Sequence, residues 1–149
     1  MGAARQFCTF WADGHFFGIA VDDVQEVIKY QEMTRVPLAP GVVQGLINLR
    51  GQIVTAIDLR RRLGLPDREP GQRPMNVVVR TDDGTVSLLV DEIGDVLEVP
   101  DETFERPPDT INGVACELVR GVYKLKERLL LVLDVERAVH VGTPVEAAA

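Results

Sequence analysis

The chain has 149 residues, of which 46% are hydrophobic, and its formal net charge at pH 7 is −7. This composition excludes a disordered or fibrous protein, and a chain of this length can bury a core without metals or disulfides. The negative charge argues against general affinity for nucleic acid or for an anionic membrane, because both attract a positive protein face.

The first predicted elements are two strands and a short helix. Asp13-Gly14 separates the apolar runs "QFCTFWA" and "HFFGIAV", and an Asp-Gly pair in this setting is typical of a tight hairpin turn. The next segment, "DDVQEVIKY", predicts a short helix, because Asp22 and Gln25 have the spacing of a capping box. Its apolar residues would share one helical face: Val24, Val27 and Ile28.

After an irregular Pro-rich crossing (Met33–Val43), a second hairpin is predicted at Arg50-Gly51, between "GLINLR" and "QIVTAI". Asp58 then opens a brief basic helix that ends at Gly64. Arg60-Arg61-Arg62 is expected to be the solvated last turn of that helix, where positive charge complements the helix dipole. A nucleic-acid patch is the weaker interpretation, because no aromatic residues interleave for base stacking.

The same order of segments returns 76 residues later, since Gly45–Leu63 aligns with Gly121–Val139 without a gap. "ADGHFFGIAVDDVQEVI" likewise parallels "DDGTVSLLVDEIGDVL", with a hairpin turn expected at Asp83-Gly84. Gly94 stands where Gln25 does, so this copy predicts a turn in place of the helix. The sequence therefore predicts two similar modules of short strands, about 7–65 and 75–141, in a small barrel or sandwich.

The remaining segments are connections and tails. "LPDREPGQRP" (Leu65–Pro74) is the candidate linker between the modules, and residues 1–6 and 142–149 are expected to be tails. No stretch approaches the length of a membrane helix and no signal region begins the chain, so we expect a cytoplasmic protein without membrane insertion. Cys8 and Cys116 lack metal or redox spacing, and Cys8 is expected to be a buried free thiol.

Several residue types could carry chemistry, and each has a simpler interpretation. Asp58 and Asp134 occupy equivalent places in the two modules and could form an acid–base pair. The favoured interpretation is that each caps the helix that follows it. Four acidic residues lack a calcium-loop pattern and are expected at a turn and a solvated strand end: Asp82, Asp83, Asp91 and Glu92. His15 and His140 have no partner at catalytic or ligand spacing, so no metal or cofactor site is expected. A small-ligand barrel is disfavoured by the aliphatic filling of both modules.

Arg50 differs from the other charged residues because a two-residue turn would project its guanidinium beyond apolar strands. There the planar fork could bind a carboxylate or carbonyl group of a partner. The alternative is an exposed arginine that touches nothing.

Three segments together resemble the CheW family, the coupling proteins of bacterial chemotaxis, over roughly Phe7 to Val141. They are "FGIAVDDVQEVI", "GLINLRGQIVTAIDLRRRLGL" and "VSLLVDEIGDVLEV". Thr55 is a departure, since the family usually has proline there. The resemblance implies an all-β fold of two similar SH3-like small β-barrels packed together, with a few short helices. It also implies no catalysis and no cofactor; strand exchange between the barrels is left open.

The resemblance further implies two partners: the regulatory domain of a CheA-type histidine kinase and the cytoplasmic tip of a chemoreceptor. It associates three residues with receptor binding: Val24, Glu26 and Arg50. It associates five with kinase binding: Cys8, Val21 and Val24 at one contact, and Arg106 and Ile111 at a second contact that closes rings. The free protein is expected to be a monomer. The same adaptor role in a gliding or twitching (type IV pilus) array is the alternative.

Overall fold

The computed structural model describes residues 4–82, 84–100, 104–106, 116–126 and 128–140. Its strands are β1 (Ala4–Ala12), β2 (His15–Ala20), β3 (Val24–Ile28), β4 (Val43–Leu49), β5 (Gln52–Asp58), β6 (Met75–Thr81), β7 (Gly84–Val90), β8 (Glu92–Pro100), β9 (Phe104–Glu105), β10 (Val119–Lys124) and β11 (Leu129–Leu133). The helices are α1 (Leu59–Leu63) and α2 (Val135–Val139), with 3-10 turns at Val21–Asp23 and Cys116–Leu118. Across these ranges, no helix is long and apolar enough to cross a membrane.

The strands form two sheets, and each half of the sequence supplies strands to both. One sheet has six strands in the order β8-β1-β2-β11-β10-β9, and the other has five in the order β3-β6-β7-β5-β4. The halves meet through four strand pairings: β2 with β11 and β5 with β7 are parallel, whereas β1 with β8 and β3 with β6 are antiparallel. The pairings within each half are antiparallel. The prediction of an all-β fold with a few short helices is confirmed.

The internal repeat is visible in the order of elements. The series β4–β5–α1 returns as β10–β11–α2, and the two helices start 76 residues apart. Asp58 caps the first helix by accepting the backbone N–H of Arg60 at 3.1 Å. Asp134 caps the second by accepting that of Arg137 at 3.1 Å. Both predicted caps are confirmed, as is the end of α1 at Gly64, whose φ is 78°.

The two Asp-Gly hairpins differ in detail. Asp13 and Gly14 join β1 to β2 with φ angles of 50° and 77°, as predicted. In the second half, Thr81 pairs with Gly84, so this glycine opens β7, and the prediction that it lies in the turn is wrong. Asp83 itself lies outside the described residues.

The predicted helix at "DDVQEVIKY" is wrong. After a 3-10 turn at Val21–Asp23, the segment is β3, which pairs with β6. Its residues alternate between half-buried and exposed, and three of five are β-branched, which favours a strand. A short apolar pattern fits both periods, and pairing with a neighbouring strand decided between them. The predicted turn around Gly94 is wrong for the same reason, because this glycine lies within β8.

The largest core cluster lies between the two sheets. Its most deeply buried members include Phe10, Phe17 and Ile19 from the six-stranded sheet and Ile57, Val77 and Leu88 from the five-stranded sheet. Each such side chain contributes about 1.5–3 kcal/mol on burial. The sheets therefore share an apolar core, which holds the surface elements in a definite relative position.

Candidate functional site

The hairpin between β4 and β5 ends in a tight two-residue turn, as predicted. Leu49 pairs with Gln52, and the turn residues Arg50 and Gly51 have φ angles of 51° and 89°. The left-handed conformation is natural for glycine but uncommon for arginine. The side-chain oxygen of Asn48 accepts a hydrogen bond from the backbone N–H of Gly51 at 2.8 Å, which holds the turn.

Arg50 is exposed but not free. Its Nη1 and Nη2 donate to the two carboxylate oxygens of Glu26 at 3.0 and 2.7 Å. The arginine side chain is 79% exposed and that of the glutamate 17%. Hydrogen bonds from Arg50 hold the pKa of the Glu26 carboxyl below its ordinary value. The interpretation of Arg50 as a residue that touches nothing is therefore wrong.

The ion pair joins opposite edges of one sheet. Glu26 lies in β3 and Arg50 follows β4, and these are the two outermost strands of the five-stranded sheet. Farther along, Thr34, which lies in the connection between β3 and β4, exchanges backbone hydrogen bonds of 2.8 Å with Leu46 of β4. The sheet therefore curls until its edges meet, as in a small barrel, and the hairpin tip faces β3.

Two of the three residues expected at a receptor contact, Glu26 and Arg50, are in direct contact at this closure. Val24 begins β3 and is half-buried against the core, two positions before Glu26 on the same strand. The β-bulge between them leaves Gln25 exposed. An apolar side chain thus lies on the strand that carries the acidic partner of Arg50.

The residues expected at a kinase contact are more dispersed. Cys8 lies in β1 of the six-stranded sheet, opposite Val96 of β8, and Val21 lies in the 3-10 turn that leads into β3. Cys8 is half-buried, and burial raises the pKa of its thiol. Arg106 is exposed just after β9, whereas Ile111 lies outside the described residues.

A buried charge network that the sequence analysis missed lies at the crossover from β7 to β8. Asp91 accepts from Arg60 Nη2 at 2.6 Å, from Arg68 Nε at 2.9 Å and from the backbone N–H of Asp13 at 2.7 Å. Burial raises the pKa of Asp91, but the hydrogen bonds from Arg60 and Asp13 and both arginine charges outweigh it, so the net shift is downward. The expectation that Asp91 sits at a solvated strand end is wrong.

The arginines of α1 are also not the solvated helix end that was expected. The Arg60 side chain is only 11% exposed. Arg61 Nε pairs with Asp67 at 3.0 Å, and Arg62 donates to the carbonyl oxygens of Ala138 and Arg137 at the end of α2, at 3.0 and 2.8 Å. These arginines therefore form contacts within the molecule, between α1, the linker and the second half of the chain.

Asp58 and Asp134 are engaged separately. Asp58 binds Arg68 Nη1 at 3.0 Å in addition to capping α1, and its side chain is 7% exposed. Asp134 caps α2 at the end of β11, in the other sheet. Each of these two carboxylates caps a helix, and the structure gives no support for an acid–base pair. Within the described ranges, no group of three His, Cys, Asp or Glu residues could hold a metal ion.

Comparison with known proteins agrees with this architecture. A family model described as a CheW-like domain matches residues 6–142. "Chemotaxis protein CheW" of Bacillus subtilis is 33% identical over 130 residues, which cover 87% of this chain and 83% of the relative. "Chemotaxis protein CheW" of Treponema pallidum is 31% identical over 136 residues, covering 89% and 80%.

A solved structure extends the likeness to the fold. The crystal structure of the scaffolding protein TtCheW from Thermoanaerobacter tengcongensis aligns with a TM-score of 0.83 at 25% identity, covering 95% of this chain and 91% of that one. The family match and the fold agree over nearly the same part of the chain. The protein with the Arg50–Glu26 closure described above therefore belongs to the CheW family of chemotaxis scaffold proteins.

Proposed function

We propose that the protein is a non-catalytic adaptor that couples the cytoplasmic tips of chemoreceptors to the regulatory domain of a CheA-type histidine kinase. The observation that carries this proposal is the exposed guanidinium of Arg50, held by Glu26 at the tip of the β4–β5 hairpin. A charged group held in this way gives orientation and partner choice more than raw affinity. Membership of a chemotaxis scaffold family supports the role.

The proposed receptor surface consists of Val24, Glu26 and Arg50. Arginine has five N–H donors in a planar fork, and Glu26 takes one from each terminal nitrogen of Arg50. The remaining donors are available to a carboxylate or a backbone carbonyl of a receptor helix. Val24 adds an apolar contact on the adjoining strand, so this surface can favour a receptor that matches it in both shape and polarity.

The proposed kinase surface begins with three small apolar residues: Cys8, Val21 and Val24. They are half-buried, so each can add non-directional burial worth about 25 cal/mol per Å² of apolar area covered. Arg106 and Ile111 are proposed for the second kinase contact. Val24 belongs to both sets, which makes it the point where receptor and kinase come nearest to each other on this protein.

Reversal of the charge at the hairpin tip tests the receptor surface. We expect Arg50→Glu to weaken binding of a receptor tip fragment at least roughly tenfold, a loss of about 1.4 kcal/mol, and to leave binding of the kinase regulatory domain unchanged. The matched control is Arg35→Glu, at another exposed arginine. Unchanged receptor affinity in Arg50→Glu, by calorimetry, would contradict the proposal.

The pathway served is part of the same proposal. The relatives named above are chemotaxis proteins, and we propose chemotaxis as the pathway served, with a gliding or twitching array as the alternative. Receptor tips and kinase domains from both kinds of array, titrated against the same protein, would separate the two. Tighter binding to the partners of a motility array would contradict the chemotaxis assignment and leave the adaptor role intact.

A further inference from the structure

The duplication has produced two equivalent hairpins that differ at their tips. In the first, Asn48 lies two residues before Arg50. In the second, the equivalent position is Lys124, whose Nζ pairs with Glu105 on the neighbouring strand at 3.2 Å. The backbone N–H of Leu125 donates to the carbonyl oxygen of Arg128 at 2.8 Å, at the place equivalent to the pairing of Leu49 with Gln52 in the first hairpin. Asn48 is therefore a feature of the first hairpin that the second hairpin lacks.

The backbone at the first tip is in a conformation that arginine rarely adopts. Arg50 has a φ of 51°. A left-handed backbone conformation is unfavourable for a residue that has a Cβ atom, whereas glycine adopts it readily. Such a conformation persists only where the surroundings hold it. Two contacts do so here: the bond from Gly51 to the Asn48 side chain, and the paired bonds from Arg50 to Glu26.

The Asn48 side chain has no part in the core. Asn48 is exposed, and its amide oxygen bonds to the turn at 2.8 Å. Asparagine is suited to this task, because its short side chain can accept a hydrogen bond from a backbone N–H of a nearby turn. Burial therefore does not explain the residue, whereas its contact with the turn does.

We infer that Asn48 is a positioning residue for the receptor surface: it holds the Arg50-Gly51 turn in the conformation that aims the guanidinium at Glu26. This inference rests on the proposed role of Arg50 in receptor binding. Without the acceptor, the Gly51 N–H bonds to water and Arg50 relaxes toward ordinary backbone angles. The guanidinium then leaves Glu26, and its remaining donors lose their orientation.

The test compares Asn48→Ala with Asn48→Asp, which keeps an acceptor oxygen at the same distance from the backbone. The matched control is Gln52→Ala, at an exposed residue on the other side of the turn. Two quantities are measured: the titration of the Glu26 carboxyl by NMR, and the affinity for a receptor tip fragment. The first reports directly on the Arg50 contact, because that contact lowers the pKa of Glu26.

We expect Asn48→Ala to raise the pKa of Glu26 toward its ordinary value and to weaken receptor binding roughly three- to tenfold, the effect of one lost hydrogen bond. Asn48→Asp and Gln52→Ala should keep both quantities near those of the unchanged protein. An unmoved Glu26 titration in Asn48→Ala would overturn the inference, whatever happens to binding.

The failure of the proposed function gives a different pattern. If Arg50→Glu leaves receptor affinity unchanged while Asn48→Ala still shifts the Glu26 titration, the positioning of Arg50 stands and the receptor role of the tip falls. If Arg50→Glu weakens receptor binding, and Asn48→Ala shifts the Glu26 titration but leaves receptor binding unchanged, Asn48 is not needed for the receptor surface. In that case the inference about Asn48 is wrong and the proposed function stands.

Discussion

Arg68 and Asp91 are joined by a bond of 2.9 Å between Nε and Oδ1, and each side chain is only 9% exposed. Arg68 lies in the connection between α1 and β6, which separates the two halves of the sequence. Asp91 lies where the chain leaves the five-stranded sheet for the six-stranded one. Through Asp58, at 3.0 Å, the same arginine also holds the start of α1. The predicted linker is therefore anchored to the five-stranded sheet and to the crossover that leads into the six-stranded one.

We expect Arg68→Ala to lower the free energy of unfolding by about 2–4 kcal/mol, because it leaves two buried carboxylates with fewer partners. The loss is near the lower end if Arg60 compensates at Asp91. Urea denaturation followed by circular dichroism measures it. Arg35→Ala is the matched control, since this arginine is exposed and its removal should change stability by less than about 0.5 kcal/mol. Equal stabilities of the two variants would contradict the anchoring role.

The same network predicts a dependence of stability on pH. The pKa of Asp91 is lowered in the folded protein, below the value of about 3.9 for an unfolded aspartate. Its contribution to stability is therefore complete above about pH 5 and is lost as the pH falls through the folded pKa.

We expect the unfolding free energy of the unchanged protein to fall more steeply between about pH 5 and pH 3 than that of Asp91→Asn, in which this group cannot titrate. Other carboxyl groups titrate in both proteins, so the difference between the two curves isolates Asp91. Parallel curves would show that its charge does not contribute to folding.

Features that depend on neighbouring residues were predictable from the sequence. The turn at Arg50-Gly51, the caps at Asp58 and Asp134 and the repeat each follow from short-range signals or from direct comparison of two segments. The partner of Arg50 was not predictable in this way, because Glu26 lies 24 residues earlier and meets it only when the sheet closes. The resemblance to the CheW family associated both residues with receptor binding, but it did not predict that they contact each other.

Features that depend on packing between the halves were missed. Arg60 is followed by two more arginines, and a run of like charges normally indicates solvent; its partner Asp91 is 31 residues away. The segment that forms β3 has a pattern that fits either a helix or a strand, and its pairing with β6 decided the outcome. In both cases the deciding contact comes from a distant part of the chain.

The two equivalent caps should differ in energetic weight. Asp134→Ala removes a cap from a partly exposed site, so we expect a loss of about 1 kcal/mol. Asp58→Ala also strips the buried Arg68 of a carboxylate, so the loss should be about 3 kcal/mol or more. Thermal and urea unfolding of the two variants provide the comparison. Equal losses would mean that the ion pair of Asp58 adds nothing to its capping role.

Cys8 gives a chemical probe of the proposed kinase surface. Burial raises the pKa of its thiol, so little thiolate is present at neutral pH and reaction with a disulfide reagent should be slow. In a Cys116→Ser background, we expect the kinase regulatory domain to slow this reaction severalfold further. A receptor tip fragment should have a smaller effect. A rate that the kinase domain leaves unchanged would remove Cys8 from the proposed contact.

We propose that one small β protein holds a receptor and a kinase at the same time, through two surfaces that have Val24 in common. Size-exclusion chromatography with light scattering, on a mixture of this protein, a receptor tip fragment and the kinase regulatory domain, tests it most directly. We expect one species that contains all three proteins, and we expect Arg50→Glu to reduce it to the complex with the kinase domain alone. Mutual displacement of receptor fragment and kinase domain, with no species containing all three, would contradict it.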